Sequence, residues 1–123
     1  AEPDDVRALT DGLELELAGL RLTVDHAPGH TRGSVMFRRP AGEELPPILL
    51  SGDVLFEGSI GRTDLPGGSH EAMLSSLAAK VLPLDDETVV LPGHGGTTTI
   101  GRERSANPYL TALADAPAPT RGL

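Results

Sequence analysis

The sequence predicts an α/β domain in which helices cover one side of a sheet. Three observations support this class. Residues 13–17, LELEL, alternate apolar and acidic side chains, as a half-buried strand does. Residues 47–53, PILLSGD, contain the continuous apolar run of a strand buried on both faces. Residues 70–82, HEAMLSSLAAKVL, have the apolar spacing of a helix, at Met73, Leu74, Leu77 and Val81.

The first half of the chain adds two further strands and a loop. Residues 20–27, LRLTVDHA, alternate again, and the Ala18-Gly19 step before them predicts a hairpin with residues 13–17. Residues 34–39, SVMFRR, predict a third strand. Residues 56–70, FEGSIGRTDLPGGSH, are rich in glycine and contain a Pro-Gly-Gly step, so an ordered loop is expected there.

The second half predicts a strand and a broken helix. Residues 87–94, ETVVLPGH, form a short apolar strand that ends at a Pro-Gly turn. A helix over residues 101–113 should be interrupted at Asn107-Pro108, because proline lacks the N–H that a helix needs. Ser69 and the TTTIG segment should cap the two helices, and residues 115–123 are predicted to be a disordered tail. We expect a single domain over residues 1–123.

Composition excludes several functions. The net charge of −8 and the single lysine argue against binding to nucleic acid, whose phosphates require clustered basic residues. Cysteine is absent, which excludes thiolate ligands and disulfides. No apolar run approaches the ~20 residues of a membrane span, and the acidic first residues lack a signal-peptide pattern. We therefore expect a cytoplasmic protein without membrane or nucleic-acid partners.

Three polar residues stand where a predicted strand ends in a glycine-containing turn. They are His30 in PGHT, Asp53 in SGDV and His94 in LPGHGG. Loops at strand ends are frequent places for metal ligands and catalytic groups. Imidazole and carboxylate without thiolate form the ligand set of hydrolytic zinc or non-haem iron sites. For any one of these residues an ordinary turn is the more frequent explanation, and the three together leave both interpretations open.

Three longer segments resemble the second half of metallo-β-lactamase-fold hydrolases. They are HAPGHTRGSV, LLSGDVLFEGSIGRTDLPGG and VVLPGHGGTTTIGRERSANPYL, and they occur in the family's order. The small glyoxalase II-like (hydroxyacylglutathione hydrolase-like) branch is the most similar one. The resemblance extends over residues 12–112 and implies half of an αββα sandwich, with one mixed sheet and helices on its outer face.

The resemblance also implies roles for individual residues. His30 would bind a first metal, His94 a second, and Asp53 would bridge the two and serve catalysis. The ions would be divalent, with zinc favoured over iron or manganese. Arg62 and Asp64 in GRTD would orient a substrate carboxylate or, as we prefer, hold the loop. His26 is expected in a supporting role, and a solvated position at the helix start is expected for His70.

The family's His-x-His-x-Asp-His segment, which supplies most other ligands, does not occur among the residues before His30. The chain therefore corresponds to the C-terminal half of the domain, with an incomplete ligand set. One face of its sheet should be apolar and exposed, and large exposed apolar patches mark interaction surfaces. We expect the missing N-terminal half, or a dimer mate, to cover that face.

The resemblance implies a parent protein that hydrolyses a small-molecule thioester such as S-lactoylglutathione. The metals would activate a water whose hydroxide attacks the carbonyl. This chain alone is expected to be inactive. Two alternatives stay open. One is a persulfide dioxygenase-like enzyme with a single iron, in which His94 does not bind metal. The other is a non-catalytic half-domain or assembly module.

Overall fold

A six-stranded mixed sheet organises the chain in the computed structural model, which describes residues 11–17 and 19–115. In spatial order its strands are β1 (Glu14–Leu17), β2 (Leu20–His26), β3 (Val35–Arg39), β4 (Ile48–Gly52), β7 (Val89–Pro92) and β8 (Thr98–Thr99). The β4–β7 pair is parallel and the other neighbours are antiparallel. A separate hairpin consists of β5 (Leu55–Phe56) and β6 (Ser59–Ile60).

Within the described residues the structure has three helices, and two of them begin at the caps that the sequence predicts. They are α1 (His70–Ser76), which continues into a π-helical turn (Leu77–Val81), α2 (Ile100–Ala106) and α3 (Pro108–Asp115). The hydroxyl of Ser69 accepts a hydrogen bond from the Ala72 N–H at 3.1 Å. The hydroxyl of Thr99 accepts a hydrogen bond from the Arg102 N–H at 3.2 Å. The predicted caps and the break at Asn107-Pro108 are thus confirmed.

The hydrophobic core lies between the helices and one face of the sheet. Met36, Leu49 and Val90 point from β3, β4 and β7 into this core and are fully buried. The side chains that meet them from the helices and the π-helical turn are Met73, Leu77, Val81, Ile100 and Leu110. Each fully buried aliphatic side chain contributes about 1.5–3 kcal/mol. The prediction that helices cover one side of the sheet is confirmed.

The opposite face of the sheet is also apolar but is only half-buried. Phe37 pairs with Leu50, and Leu50 with Leu91, so these three side chains share one face. All three remain partly exposed, as do Ile48 and Val89. The sheet therefore presents an apolar surface on the side away from the helices.

Two elements differ from the sequence prediction. The passage over residues 56–70 contains the end of a hairpin, which turns at Gly58, where φ is +77°. The TTT segment does more than cap α2, because Thr98 and Thr99 also pair with β7. The unpredicted strands β6 and β8 are each two residues long, which is too short for a sequence periodicity to show.

The predicted tail concerns residues 115–123. Asp115 is the last residue of α3, which corrects the predicted start of the tail, and the rest of it lies outside the described residues. Within the described part of the chain, no helix is long and apolar enough to cross a membrane.

Candidate metal centre

Three loops that leave the same edge of the sheet bring His30, Asp53 and His94 together. Asp53 follows β4 and His94 follows β7, and these strands are parallel neighbours. The strand β2, which precedes His30, runs in the same direction as β4, because β3 between them is antiparallel to both. Parallel strands end at a common edge, so topology alone places the three residues near one another.

Asp53 lies between the two histidines, with one carboxylate oxygen toward each. Its Oδ2 is 3.7 Å from Nε2 of His30, and its Oδ1 is 3.6 Å from Nε2 of His94. The structure thus brings together the three residues that the sequence singled out. The arrangement has the form of a carboxylate bridge between two separate positions.

The loop that carries His30 is held against α1. The Gly29 carbonyl accepts from the Ser69 N–H at 2.7 Å, and the Ser76 hydroxyl donates to the Pro28 carbonyl at 2.8 Å. Gly29 has φ of +149°, and a Cβ there would collide with the backbone of Met73. Only glycine lets the loop approach the helix this closely and turn toward the site.

The ring of His30 is oriented by a backbone carbonyl. Its Nδ1 lies 2.9 Å from the carbonyl oxygen of Arg62. Because a carbonyl only accepts, Nδ1 carries the hydrogen, and in the neutral form of the ring the lone pair is on Nε2, the nitrogen on the Asp53 side. Metal-binding histidines are commonly oriented in this way. The His30 side chain is also well shielded, with 23% of its surface exposed.

The ring of His94 is held differently. It stacks on Phe56 with a centroid separation of 5.1 Å and an interplanar angle of 4°. Its side chain is 68% exposed. Sequence reasoning did not identify Phe56, although an aromatic side chain three residues after Asp53 in a glycine-rich passage was a signal for it.

The GRTD loop contains a surface ion pair. Nε of Arg62 donates to Oδ1 of Asp64 at 2.8 Å, and a second hydrogen bond runs to Oδ2 at 3.1 Å. The hydrogen bond from Arg62 holds the pKa of the Asp64 carboxyl below its ordinary value. This pairing fits the loop-holding interpretation, because the same Arg62 supplies the carbonyl that orients His30.

The two other histidines lie apart from this cluster. Nε2 of His26 is 3.1 Å from the carbonyl oxygen of Arg32, at the end of β2. Nδ1 of His70 is 3.3 Å from the hydroxyl of Thr63, at the start of α1. Both side chains are exposed, as expected for the supporting and solvated positions that the sequence suggested.

The cluster fits a pair of divalent ions. Zinc lies about 2.0–2.2 Å from nitrogen and oxygen ligands, so two donors on one tetrahedral ion are roughly 3.4 Å apart. The Nε2–oxygen separations of 3.6 and 3.7 Å are close to this value. Each ion would have two ligands from this chain, and the described residues include no group of three His, Cys, Asp or Glu side chains around one position. The donors fit, but the set is incomplete.

Open space adjoins His94 and, separately, the GRTD loop. A cavity of about 320 Å³ is lined by Phe56, Glu57, His94, Gly95 and Gly96. A second cavity, of about 360 Å³, is lined in part by the GRTD loop. Its lining includes Arg62, Thr63, Asp64, His70 and Tyr109.

A mixed sheet with helices on one face and a His-Asp-His cluster at its edge defines an α/β domain of a metal-binding class. The family model of the metallo-beta-lactamase superfamily matches residues 1–94. The chain belongs to this superfamily.

Curated relatives extend the match. An uncharacterized protein of Mycobacterium tuberculosis is 53% identical over 115 residues, which are 92% of this chain and 51% of that protein. Hydroxyacylglutathione hydrolase GloC of Haemophilus influenzae is 43% identical over 102 residues, 83% of this chain and 46% of that protein. The chain therefore spans about half the length of these relatives.

Solved structures agree on the fold. The BLEG-1 B3 metallo-beta-lactamase superimposes with a TM-score of 0.74 at 47% identity, covering 84% of this chain and 47% of that one. TTHA1623 in a di-iron-bound form superimposes with a TM-score of 0.70 at 46% identity, covering 85% of this chain and 48% of that one. The predicted fold class, half of a metallo-β-lactamase domain, is confirmed.

Proposed function

We propose that the protein to which this chain belongs is a binuclear metal-dependent thioesterase that acts on a small molecule such as S-lactoylglutathione. The observation that carries the proposal is the position of Asp53, with one oxygen toward His30 and the other toward His94. The 43% identity to hydroxyacylglutathione hydrolase GloC supports the choice of substrate class.

Each residue of the cluster has a distinct part in this proposal. Nε2 of His30 and Oδ2 of Asp53 would hold one ion, and Nε2 of His94 and Oδ1 would hold the other. Divalent ions supply Lewis acidity, which polarises a carbonyl and acidifies water. Asp53 sets the separation of the two positions, and the Arg62 carbonyl keeps Nε2 of His30 free of its hydrogen. Zinc suits these ligands, as do iron and manganese.

The apolar face of the sheet supports a partner for this chain. Phe37, Leu50 and Leu91 lie side by side there and are partly exposed. We propose that the N-terminal half of the domain, or else a dimer mate, packs on them. Catalytic zinc sites use three protein ligands, so two per ion make this chain inactive by itself. The cytoplasm remains our proposal for the compartment.

One observation favours a second candidate, a persulfide dioxygenase-like enzyme with a single iron. The His94 side chain is mostly exposed, and within the described residues its ring nitrogens have no hydrogen-bond partner closer than the Asp53 carboxylate. A site that uses one iron would leave this histidine free of metal.

Metal analysis combined with two assays separates the candidates. The purified protein that carries this chain would be analysed for metal by mass spectrometry. It would then be assayed for S-lactoylglutathione hydrolysis and for oxygen consumption with glutathione persulfide. The thioesterase proposal expects two ions per site and hydrolysis. One iron with oxygen consumption would support the alternative, and neither activity with no metal would contradict both.

A further inference from the structure

Glu103 is a buried carboxylate that lies outside the candidate metal centre. It belongs to α2 and its side chain is 1% exposed. Its Oε1 accepts hydrogen bonds from the Gly58 N–H at 2.8 Å and from Nδ2 of Asn107 at 3.0 Å. Its Oε2 accepts from the Thr98 hydroxyl at 2.7 Å. Three donors replace the water that a buried carboxylate loses, which makes the burial tolerable.

Two of these three donors, Gly58 and Thr98, belong to the chain segments that carry the stacked rings of Phe56 and His94. Gly58 is the turn of the β5–β6 hairpin, two residues after Phe56. Thr98 is in β8, four residues after His94. One carboxylate therefore fastens both the segment that carries Phe56 and the segment that carries His94.

Asn107 strengthens the hairpin side of this connection. Its Nδ2 donates to the Ser59 carbonyl at 3.1 Å and lies 3.4 Å from the Phe56 carbonyl. Asn107 is fully buried, and its own Oδ1 accepts from the Tyr109 N–H at 2.9 Å, where α3 begins. The amide is thus held in one orientation, with its donors toward the hairpin.

The stacking is the contact through which this connection reaches the candidate metal centre. Among the described residues, no hydrogen bond of normal length reaches the His94 ring, in contrast to His30. The orientation of Nε2 toward Asp53 then depends on the flat contact with Phe56. Aromatic pairs in such offset arrangements are favourable beyond their buried area.

We propose that Glu103 and Asn107 are positioning residues for His94, acting through Phe56 and the β5–β6 hairpin. They do not touch the ions or the substrate. The proposal rests on the proposed function, in which His94 binds the second ion. It assigns the Glu-x-x-x-Asn pair a role specific to one half of the site.

Histidine-ring NMR during titration with Zn²⁺ alone would test the proposal in the purified protein that carries this chain. The ring signals of His30 and His94 are assigned by substituting each with Gln. Phe56→Leu removes the ring but keeps an apolar side chain, and Phe56→Tyr restores the ring. Glu103→Ala removes all three accepted hydrogen bonds. Glu103→Gln keeps Oε1 as acceptor, because the Thr98 hydroxyl can accept from the new amide.

We expect Phe56→Leu and Glu103→Ala to abolish the ring-current shift of the His94 protons. They should also raise the zinc dissociation constant at His94 about tenfold, the scale of losing a residue that orients a ligand. The constant at His30 should stay within about twofold. Phe56→Tyr and Glu103→Gln should restore wild-type behaviour. Ser105→Ala, on the exposed face of α2, is the control and should change neither signal.

Equal weakening at both histidines, or no change at His94 in Phe56→Leu, would overturn the proposal. If Glu103→Ala does not fold, Phe56→Leu and its Tyr rescue decide the outcome. If zinc shifts neither ring in the wild-type protein, the binuclear function fails. The ring-current shift of His94 and its dependence on Glu103 then still decide the positioning role by themselves.

Discussion

The two histidines beside Asp53 are held by different means. His30 is shielded and its Nδ1 donates to a backbone carbonyl, whereas His94 is exposed and rests on an aromatic ring. A hydrogen bond fixes both the tautomer and the angle of an imidazole, but stacking fixes only the plane. The two metal positions should therefore differ in affinity, with the ion at His30 bound more tightly.

Removing Asp53, the ligand shared by the two proposed ions, should abolish metal binding at both positions. The difference in affinity between them would then disappear. Asp53→Ala takes away one oxygen from each proposed ion. We expect metal content near zero and hydrolysis reduced at least about a hundredfold. Losing a residue that merely supports a metal ligand costs up to about a hundredfold, and losing the ligand itself should cost at least as much. Glu87→Ala, which removes an exposed carboxylate, should leave both unchanged. Normal metal content in Asp53→Ala would exclude the bridging role.

Removing each histidine separately should reveal the asymmetry. His30→Gln should lose the more tightly bound ion, whereas His94→Gln should retain one ion per site after dialysis. The reason is that, within the part of the chain that the structure describes, a hydrogen bond orients the ring of His30 and none orients the ring of His94. Metal analysis after exhaustive dialysis measures this directly. Equal retention in the two variants would show that the supports are equivalent.

A methyl group at Gly61 should perturb the His30 side. A Cβ there would collide with the carbonyl oxygen of Asp53 and lie 3.4 Å from Cβ of His30. We expect Gly61→Ala to lower the free energy of unfolding by about 1–3 kcal/mol, as crowding of a packed site does. Urea denaturation gives this value, and Gly33→Ala, where no atom lies within 4 Å of the added carbon, is the matched control.

The ion pair of the GRTD loop should have the smallest effect. Hydrogen bonding to Arg62 depresses the pKa of Asp64 in the folded protein, so the pair stabilises the loop above the ordinary aspartate pKa. The stabilisation by this ion pair is lost as the pH falls through the lowered pKa of Asp64. Asp64→Asn should remove this acid-dependent step and change zinc affinity at His30 by about twofold or less, because exposed pairs are weak. NMR titration of the His30 ring would check it, and a shift at His94 instead would contradict the loop's link to His30.

Much of the fold follows from local sequence pattern. The alternation in β1 and β2 and the apolar spacing in α1 depend only on near neighbours, and so do the caps at Ser69 and Thr99. The resemblance to a known family then assigned metal-binding roles to His30, Asp53 and His94. Phe56 and Glu103 were missed, because their importance arises from partners distant in sequence, such as the contact between Glu103 and Gly58 across 45 residues.

The amino-acid sequence alone specified which side chains stand after which strands, because strand and turn preferences act over a few residues. It also determined that the chain carries histidine and carboxylate ligands and no thiolates. The three-dimensional fold sets one oxygen of Asp53 toward each histidine, and it places a carbonyl against one ring and a phenyl group against the other. Those relations depend on how separate loops pack at one edge of the sheet, which no local pattern specifies.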